Sequence, residues 1–314
     1  MDRYEQLQKQ IDQLRTEVEH LKKEVHAPSQ PGRTNPHPLE AVLWQRGFPV
    51  IAHGDQSQLV FPPNISSNQL VGFYNLMRRY SFRLFMRDLI QTPRAEKLGA
   101  LTRYCSLRTV HAYMNALAEM KIVSIDPGGY RLLKQVPSFG PTLEWYVCEV
   151  FRREFLAPAL FNVKLENTRY GGDYDVISII AGRLVYVEVK SSPPRGVELQ
   201  AVNAFLSRVG DLEPHVAIFL VDTELRMKDK LVPLLEDGLG GERKAGSALK
   251  ISRLIDETFH IGHSLYLTNS RKGVYSNLRT CLRDFLTRES RGSGTVNEMK
   301  RNRATSEGTK EAEQ

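Results

Sequence analysis

Several features are scarce in this sequence, and each scarcity closes off a class of function. There are three cysteines in 314 residues, Cys105, Cys148 and Cys281, and none stands in a Cys-x-x-Cys pair. Neither a zinc knuckle nor a disulfide framework is indicated, which suits a reducing compartment. Long apolar runs are missing as well; no stretch reaches the ~18 apolar residues of a membrane span. The first residues are polar and charged, without the apolar run of a signal peptide, so a cytoplasmic protein is expected. The glycine-rich residues 237–246 lack the Gly-Lys-Ser/Thr ending of a phosphate-binding loop, and no ATPase motor is expected in this chain. His260 and His263 have His-x-x-His spacing, but no glutamate follows His260 as in a zinc protease. Ser191 and Ser192 have no histidine base near them in sequence, which argues against a serine nucleophile.

Positive charge is plentiful. The chain carries 43 lysines and arginines against 36 acids, a formal charge of +7, which points to a polyanionic partner. The excess is local. Residues 66–135 hold eleven lysines and arginines against four acids, an excess equal to that of the whole chain.

Residues 1–27 carry a heptad. Tyr4, Ile11, Val18 and Val25 recur every seven residues, with Leu7, Leu14 and Leu21 three residues after the first three of them. β-Branched residues at one seam position and leucine at the other favour a parallel two-stranded coiled coil, so a homodimer through residues 1–27 is expected. Residues 28–65 read as a linker, proline-rich at its start, with a small hairpin formed by Phe48–Ala52 and Gln58–Phe61. Three helices are predicted over 68–90, 94–104 and 107–120, the last capped by Ser106 with Leu107, Val110, Met114, Leu117 and Met120 as its apolar stripe. Strands at 122–125 and 130–133 then flank the turn Asp126-Pro127-Gly128-Gly129.

Residues 136–288 alternate helical and strand patterns: helix 143–155, strands 162–167, 175–180 and 184–190, helix 197–208, strand 216–221, helix 228–234, strand 264–267 and helix 274–286. Such alternation implies an α/β domain with helices packed on a mixed sheet. Residues 289–314 are polar and charged and read as a disordered tail.

The chemistry concentrates in Tyr170-Gly171-Gly172-Asp173-Tyr174-Asp175-Val176-Ile177 and in Val185-Tyr186-Val187-Glu188-Val189-Lys190. Strand side chains alternate faces, so Glu188 and Lys190 point one way and Val187 and Val189 the other. A hairpin of these strands that splays at its far end brings Asp175 beside Glu188. Two carboxylates so placed suit a hard divalent cation, Mg²⁺ or Mn²⁺.

This order of acid, strand and hydrophobic-Glu-hydrophobic-Lys resembles the PD-(D/E)xK nucleases, the restriction-endonuclease-like fold. Its wording is most similar to the Mrr-like and Holliday-junction-resolvase-like branches, over about residues 142–223. Tyr174 rather than proline precedes Asp175. The resemblance implies a metal-dependent endonuclease that hydrolyses phosphodiester bonds. Asp175 and Glu188 would bind the ion with the Val189 carbonyl, and Lys190 would stabilise the transition state. The preceding helix would contribute Glu144 to a second ion or a metal-bound water, and Asp173 would sit just outside this set.

Residues 66–135 resemble a winged helix-turn-helix, in which the third helix enters the major groove and the hairpin meets the backbone. Arg108, Thr109, His111 and Asn115 on that helix would face bases, while Arg94, Lys97, Arg103 and Arg131 would sit on phosphates. The expectation is thus a multidomain protein: coiled coil, winged helix and α/β nuclease domain, acting on DNA, with restriction or mobile-element defence as a setting. The alternatives are a catalytically silent DNA-binding regulator on the same scaffold and a structure-selective junction nuclease.

Overall fold

The computed structural model describes residues 37–95, 98–240 and 250–290. The expected coiled coil, Lys97 and residues 291–314 of the expected tail lie outside the described residues. An eight-stranded mixed sheet in the order β1-β5-β6-β7-β8-β11-β10-β9 forms the centre. Its strands are β1 (Val50–Ala52), β5 (Ala159–Leu165), β6 (Asp173–Ile180), β7 (Arg183–Lys190), β8 (Val216–Val221), β9 (Ser252–Ile255), β10 (Thr258–Ile261) and β11 (Leu265–Asn269). β7, β8 and β11 run parallel, as a buried sheet centre allows, and the flanking pairs are antiparallel. No helix among the described residues is long and apolar enough to cross a membrane.

Each sheet face has its own apolar layer. On one, Val176, Val185, Val187 and Ile218 pack with residues of α2 (Ser67–Met77), α3 (Tyr80–Gln91), α4 (Leu107–Glu119), α5 (Gly140–Glu154) and a last helix, α8 (274–290). On the other, Ile177, Leu184, Tyr186 and Phe219 pack with α1 (Pro38–Gln45), α6 (Leu199–Leu212) and α7 (Leu231–Gly240). The helices α2–α4 adjoin a small sheet, β2 (Arg94–Ala95), β4 (Gly129–Leu132) and β3 (Val123–Asp126), in that order. This helical module does not form a core apart: Phe61 sets its ring edge against both Phe73 and Trp145, at 4.9 Å in each case. A buried ion pair also joins it to the sheet. Arg83 of α3 meets Asp222, just after β8, at 2.8 Å, and both side chains are almost wholly excluded from solvent.

The N-terminal half departs from expectation at four places. Residues 38–45, expected as linker, form α1, which starts on Pro38 and buries Leu39 and Leu43. The expected hairpin at 48–61 is absent, because β1 pairs with β5 and Leu59, Val60 and Phe61 turn inward as core residues. The expected helix at 68–90 is two helices, with Arg79 extended between them (φ −87°, ψ 123°), and that break turns Arg83 towards Asp222. The expected helix at 94–104 is β2 and a 3₁₀ turn at Leu98–Leu101, since Arg94 and Ala95 pair with Arg131 and Tyr130 instead. α4 begins on the Ser106 cap as expected, although Leu107 is 50% exposed and stands outside the stripe.

Candidate active site

The site is made where β6 and β7 part. They are joined by the two-residue turn Ala181-Gly182, both residues at positive φ, and pair back to Val176 opposite Val187. Beyond that pair the ladder stops, and the Asp175 side chain completes it: Oδ2 accepts the Val189 N–H at 2.7 Å. The same point breaks the alternation of β6. Tyr174 packs into one apolar layer and Val176 into the other, although they are two residues apart. Opposite, β5 skips a pairing at Asn162, whose φ is +47°, so both strands kink together. Asp175 is therefore the third residue of β6, held at a kink, and not its first residue.

Glu188 is fully buried at the far end of β7 and engages two cations and a phenol. Its Oε1 meets Lys190 Nζ and Arg208 Nη2, each at 2.8 Å. The Tyr186 hydroxyl donates to Oε2, and Arg208 Nε donates to that hydroxyl at 2.9 Å. Burial alone would push the Glu188 carboxyl up, but Lys190 and Arg208 outweigh it and hold it below the usual range. Lys190 in turn is raised: burial works against its charge, and Glu188 and Asp175 overcome that.

Arg208 and Tyr186 are members of the cluster that sequence reasoning missed. A signal existed for Arg208. On α6 the inward residues are Val202, Phe205 and Leu212, and Arg208 follows Phe205 by three, so a cation stands beside an apolar stripe. Room for it is left by Gly172, at φ +87°, where an added Cβ would lie 3.3 Å from Arg208 Nη1. The preceding loop is pinned by Asp211 of α6, which accepts the Tyr170 N–H at 2.9 Å.

Glu144, in the second turn of α5, completes the group electrostatically. Burial first, and then the Glu188 charge, raise its carboxyl to about 7. Asp175 is raised well above its ordinary value by burial and by the charges of Glu188 and Glu144. Asp173 lies 3.7 Å from Lys164, and its charge is among those that raise Glu144. The structure thus brings Glu144, Asp175, Glu188 and Lys190 to one end of the sheet. Among the described residues, however, no three acid, histidine or cysteine side chains converge closely enough to hold one ion as they stand.

The raised carboxyls set a pH dependence. A group whose folded-state pKa exceeds its unfolded value contributes stability that is complete at low pH and is lost as pH rises through the folded value. For Glu144 the loss runs from about 4.5 to about 7, and Asp175 acts in the same direction. Glu188, lowered, loses its contribution only in acid, outside that window. The melting temperature of the protein relative to Glu144→Gln should fall by roughly 5–10 °C between pH 5 and pH 8, since the titration over that range is worth about 2–3 kcal/mol, at roughly 2–4 °C per kcal/mol. Scanning calorimetry in buffer with EDTA checks this; a constant difference would mean that Glu144 does not feel its neighbours.

On the helical module, Arg108, His111 and Asn115 are exposed on α4. Thr109 is partly occupied by the cap, its hydroxyl 2.9 Å from that of Ser106. Arg94 and Arg131 are direct partners on β2 and β4, both exposed, and Arg103 is exposed just before α4. Arg83 and Arg87 are spent on internal contacts, to Asp222 and to the Ser191 carbonyl, so the outward charge of the module is smaller than its sequence suggests.

No family model matches the chain, and no curated protein matches it. Among solved structures it is similar to protein VC1899 from Vibrio cholerae, with 19% identity and a TM-score of 0.38 over 57% of this chain and 52% of that one. It is also similar to Can2 from Sulfobacillus thermosulfidooxidans in complex with cyclic tetra-adenylate, with 13% identity and a TM-score of 0.43 over 80% of this chain and 62% of that one. The chain therefore spans between half and two thirds of the length of either structure.

Proposed function

We propose that the protein is a divalent-metal-dependent DNA endonuclease of the PD-(D/E)xK kind. The observation that carries this reading is the parting of β6 and β7, which sets Asp175, Glu188 and Lys190 at one sheet end facing Glu144. Glu144 and Asp175 are raised by burial and by neighbouring carboxylates, and Asp175 keeps one oxygen with no hydrogen-bond partner among the described residues. That donor chemistry fits Mg²⁺ or Mn²⁺. Asp175, Glu188 and Glu144 are the residues that would hold it. When bound, the ion would supply Lewis acidity towards a phosphate oxygen and lower the pKa of a coordinated water.

The chain's own groups have separate tasks. Lys190 stays charged at neutral pH and offers its ammonium to the negative charge that develops on the phosphate. Arg208 and Tyr186 are positioning residues: they fix the Glu188 carboxylate from the α6 side. Glu144, raised to about 7 by burial and the Glu188 charge, would give up its proton to serve as a ligand when the ion binds. DNA would be held by the module before β5. Its three helices and hairpin follow the winged-helix order, with α4 presenting Arg108, His111 and Asn115, and with Arg94 and Arg131 beside it.

One observation favours the silent-scaffold alternative. Both Glu188 oxygens are already engaged, so Lys190 or Arg208 would have to yield for Glu188 to become a ligand. A single experiment separates the two. Supercoiled plasmid is incubated with the full chain with Mg²⁺, with Mn²⁺ and with EDTA, beside Lys190→Ala. Metal-dependent nicking that falls at least ~100-fold in the variant supports the nuclease. Intact plasmid under every condition, with DNA binding retained, supports the scaffold.

A further inference from the structure

A groove of about 410 Å³ opens between the helical module and the catalytic sheet. Its walls include Arg87 and Asp88 of α3, and Arg103 and Tyr104 from the segment before α4. Ser191 and Ser192, the two residues that follow Lys190, also line it, so the groove begins beside the candidate site. Tyr104 is its one aromatic residue with an exposed ring, at 36% exposure. The guanidinium carbons of Arg103 and Arg87 stand 5.1 and 5.7 Å from the centre of that ring. Arg87 spans the groove, donating to the Ser191 carbonyl at 3.0 Å and to the Tyr104 hydroxyl at 3.4 Å.

The size of the groove limits what can enter. Such a volume lies in the range of about 300–1,000 Å³ that takes a small organic ligand, and it is far too small for a duplex, whose major groove alone is about 12 Å wide. The lining narrows the choice further. An exposed aromatic ring next to arginines is how proteins hold unpaired bases and their phosphates: the base stacks and the guanidinium meets the phosphate. Asp88 is the one acid in the wall, and burial raises its carboxyl against the pull of Arg87 and Arg103.

We propose that this groove binds an unpaired nucleic-acid strand, with a base stacked on Tyr104, the adjoining phosphate on Arg103 and the strand leading past Ser191 to Lys190. The proposal rests on the nuclease reading and deepens it: the substrate is single-stranded, or duplex that is locally open. The test measures binding without cleavage. Fluorescence anisotropy in EDTA follows a fluorescein-labelled oligodeoxynucleotide, an oligoribonucleotide of the same sequence and a hairpin duplex, each with the full chain. Tyr104→Ala should weaken binding of the preferred single strand about five-fold or more, as loss of one stacked base does, and duplex binding less than about two-fold. Tyr104→Phe should bind like the wild type, since the ring is kept; matching thermal melts show that the variants fold. The tighter of the DNA and RNA arms identifies the sugar. Equal single-strand binding by Tyr104→Ala and wild type overturns the proposal, as does an equal loss on duplex. Wild type that binds no single strand also overturns it, while metal-dependent plasmid nicking would leave the nuclease reading standing. Strand binding that depends on Tyr104, with neither the plasmid nor the preferred single strand cut in Mg²⁺ or Mn²⁺, keeps the groove and removes the nuclease.

Discussion

Asp175→Asn should leave the protein folded and bound to DNA while lowering the cleavage rate by at least about 10²–10³-fold. The substitution is conservative where structure is concerned. Asp175 caps the open ladder by accepting the Val189 N–H at 2.7 Å, and the oxygen of an asparagine can accept the same bond. What is lost is the charge. An amide gives a divalent cation a dipole where it had an anion, and hard cations discriminate strongly between the two. It also removes one of the negative charges that hold Lys190 protonated, so the local proton balance shifts as well. Single-turnover cleavage at saturating DNA isolates the chemical step from binding, and a parallel binding isotherm shows whether affinity is kept. A variant that cuts at the wild-type rate removes Asp175 from the mechanism.

The second large effect concerns the joint between module and sheet. Asp222→Ala strands the Arg83 guanidinium, which is 1% exposed and has both Asp222 oxygens within 3.0 Å of its Nε. Its remaining contact of note is Nη1 to the Met77 carbonyl, at 2.7 Å. Removing one partner of a buried pair costs about 3–5 kcal/mol, because the other charge is left without compensation. For a chain of this size that corresponds to a melting temperature lower by roughly 6–20 °C, at about 2–4 °C per kcal/mol. The double variant Arg83→Met, Asp222→Leu should recover most of the loss, since apolar replacement of both members is often neutral. Thermal melts of the single and double variants decide the matter. A single variant that melts within a degree of wild type would show that water reaches Arg83.

The C-terminal half of the chain was more legible than the half before it, for a physical reason. β6, β7, β8 and α6 carry their own periodicity: buried strands read as apolar runs, and the helix repeats its apolar residues at three and four. The Glu-x-Lys pair keeps its shared face because strand geometry allows nothing else. The break between α2 and α3 had no such mark. Residues 68–90 are continuously compatible with helix, and what interrupts them is the demand of Asp222, 139 residues away. β2 is likewise set by its partner β4, and β1 by β5, rather than by local preference. β9 and β10 also went unread, being short, with one side of β9 at the sheet edge. In the site, the acids and the lysine were visible as residue types in order. The kink at Asp175 was not, because it depends on Asn162 in another strand adopting positive φ at the same level.

The Arg83–Asp222 pair has a geometric corollary. Asp222 directly follows β8, and β8 lies next to β7, which ends in Lys190. The module that carries the exposed arginines is thus bolted to the neighbour of the strand that carries the lysine, with the Phe61–Phe73–Trp145 rings as a second fastening. A tethered pair of domains would scatter its cuts over whatever length its tether allowed. If the protein cuts DNA as proposed, two parts fastened in this way would act as a caliper: the distance from the point of grip to the point of scission would be set by the thickness of protein between them, and cut positions around a bound site should cluster narrowly.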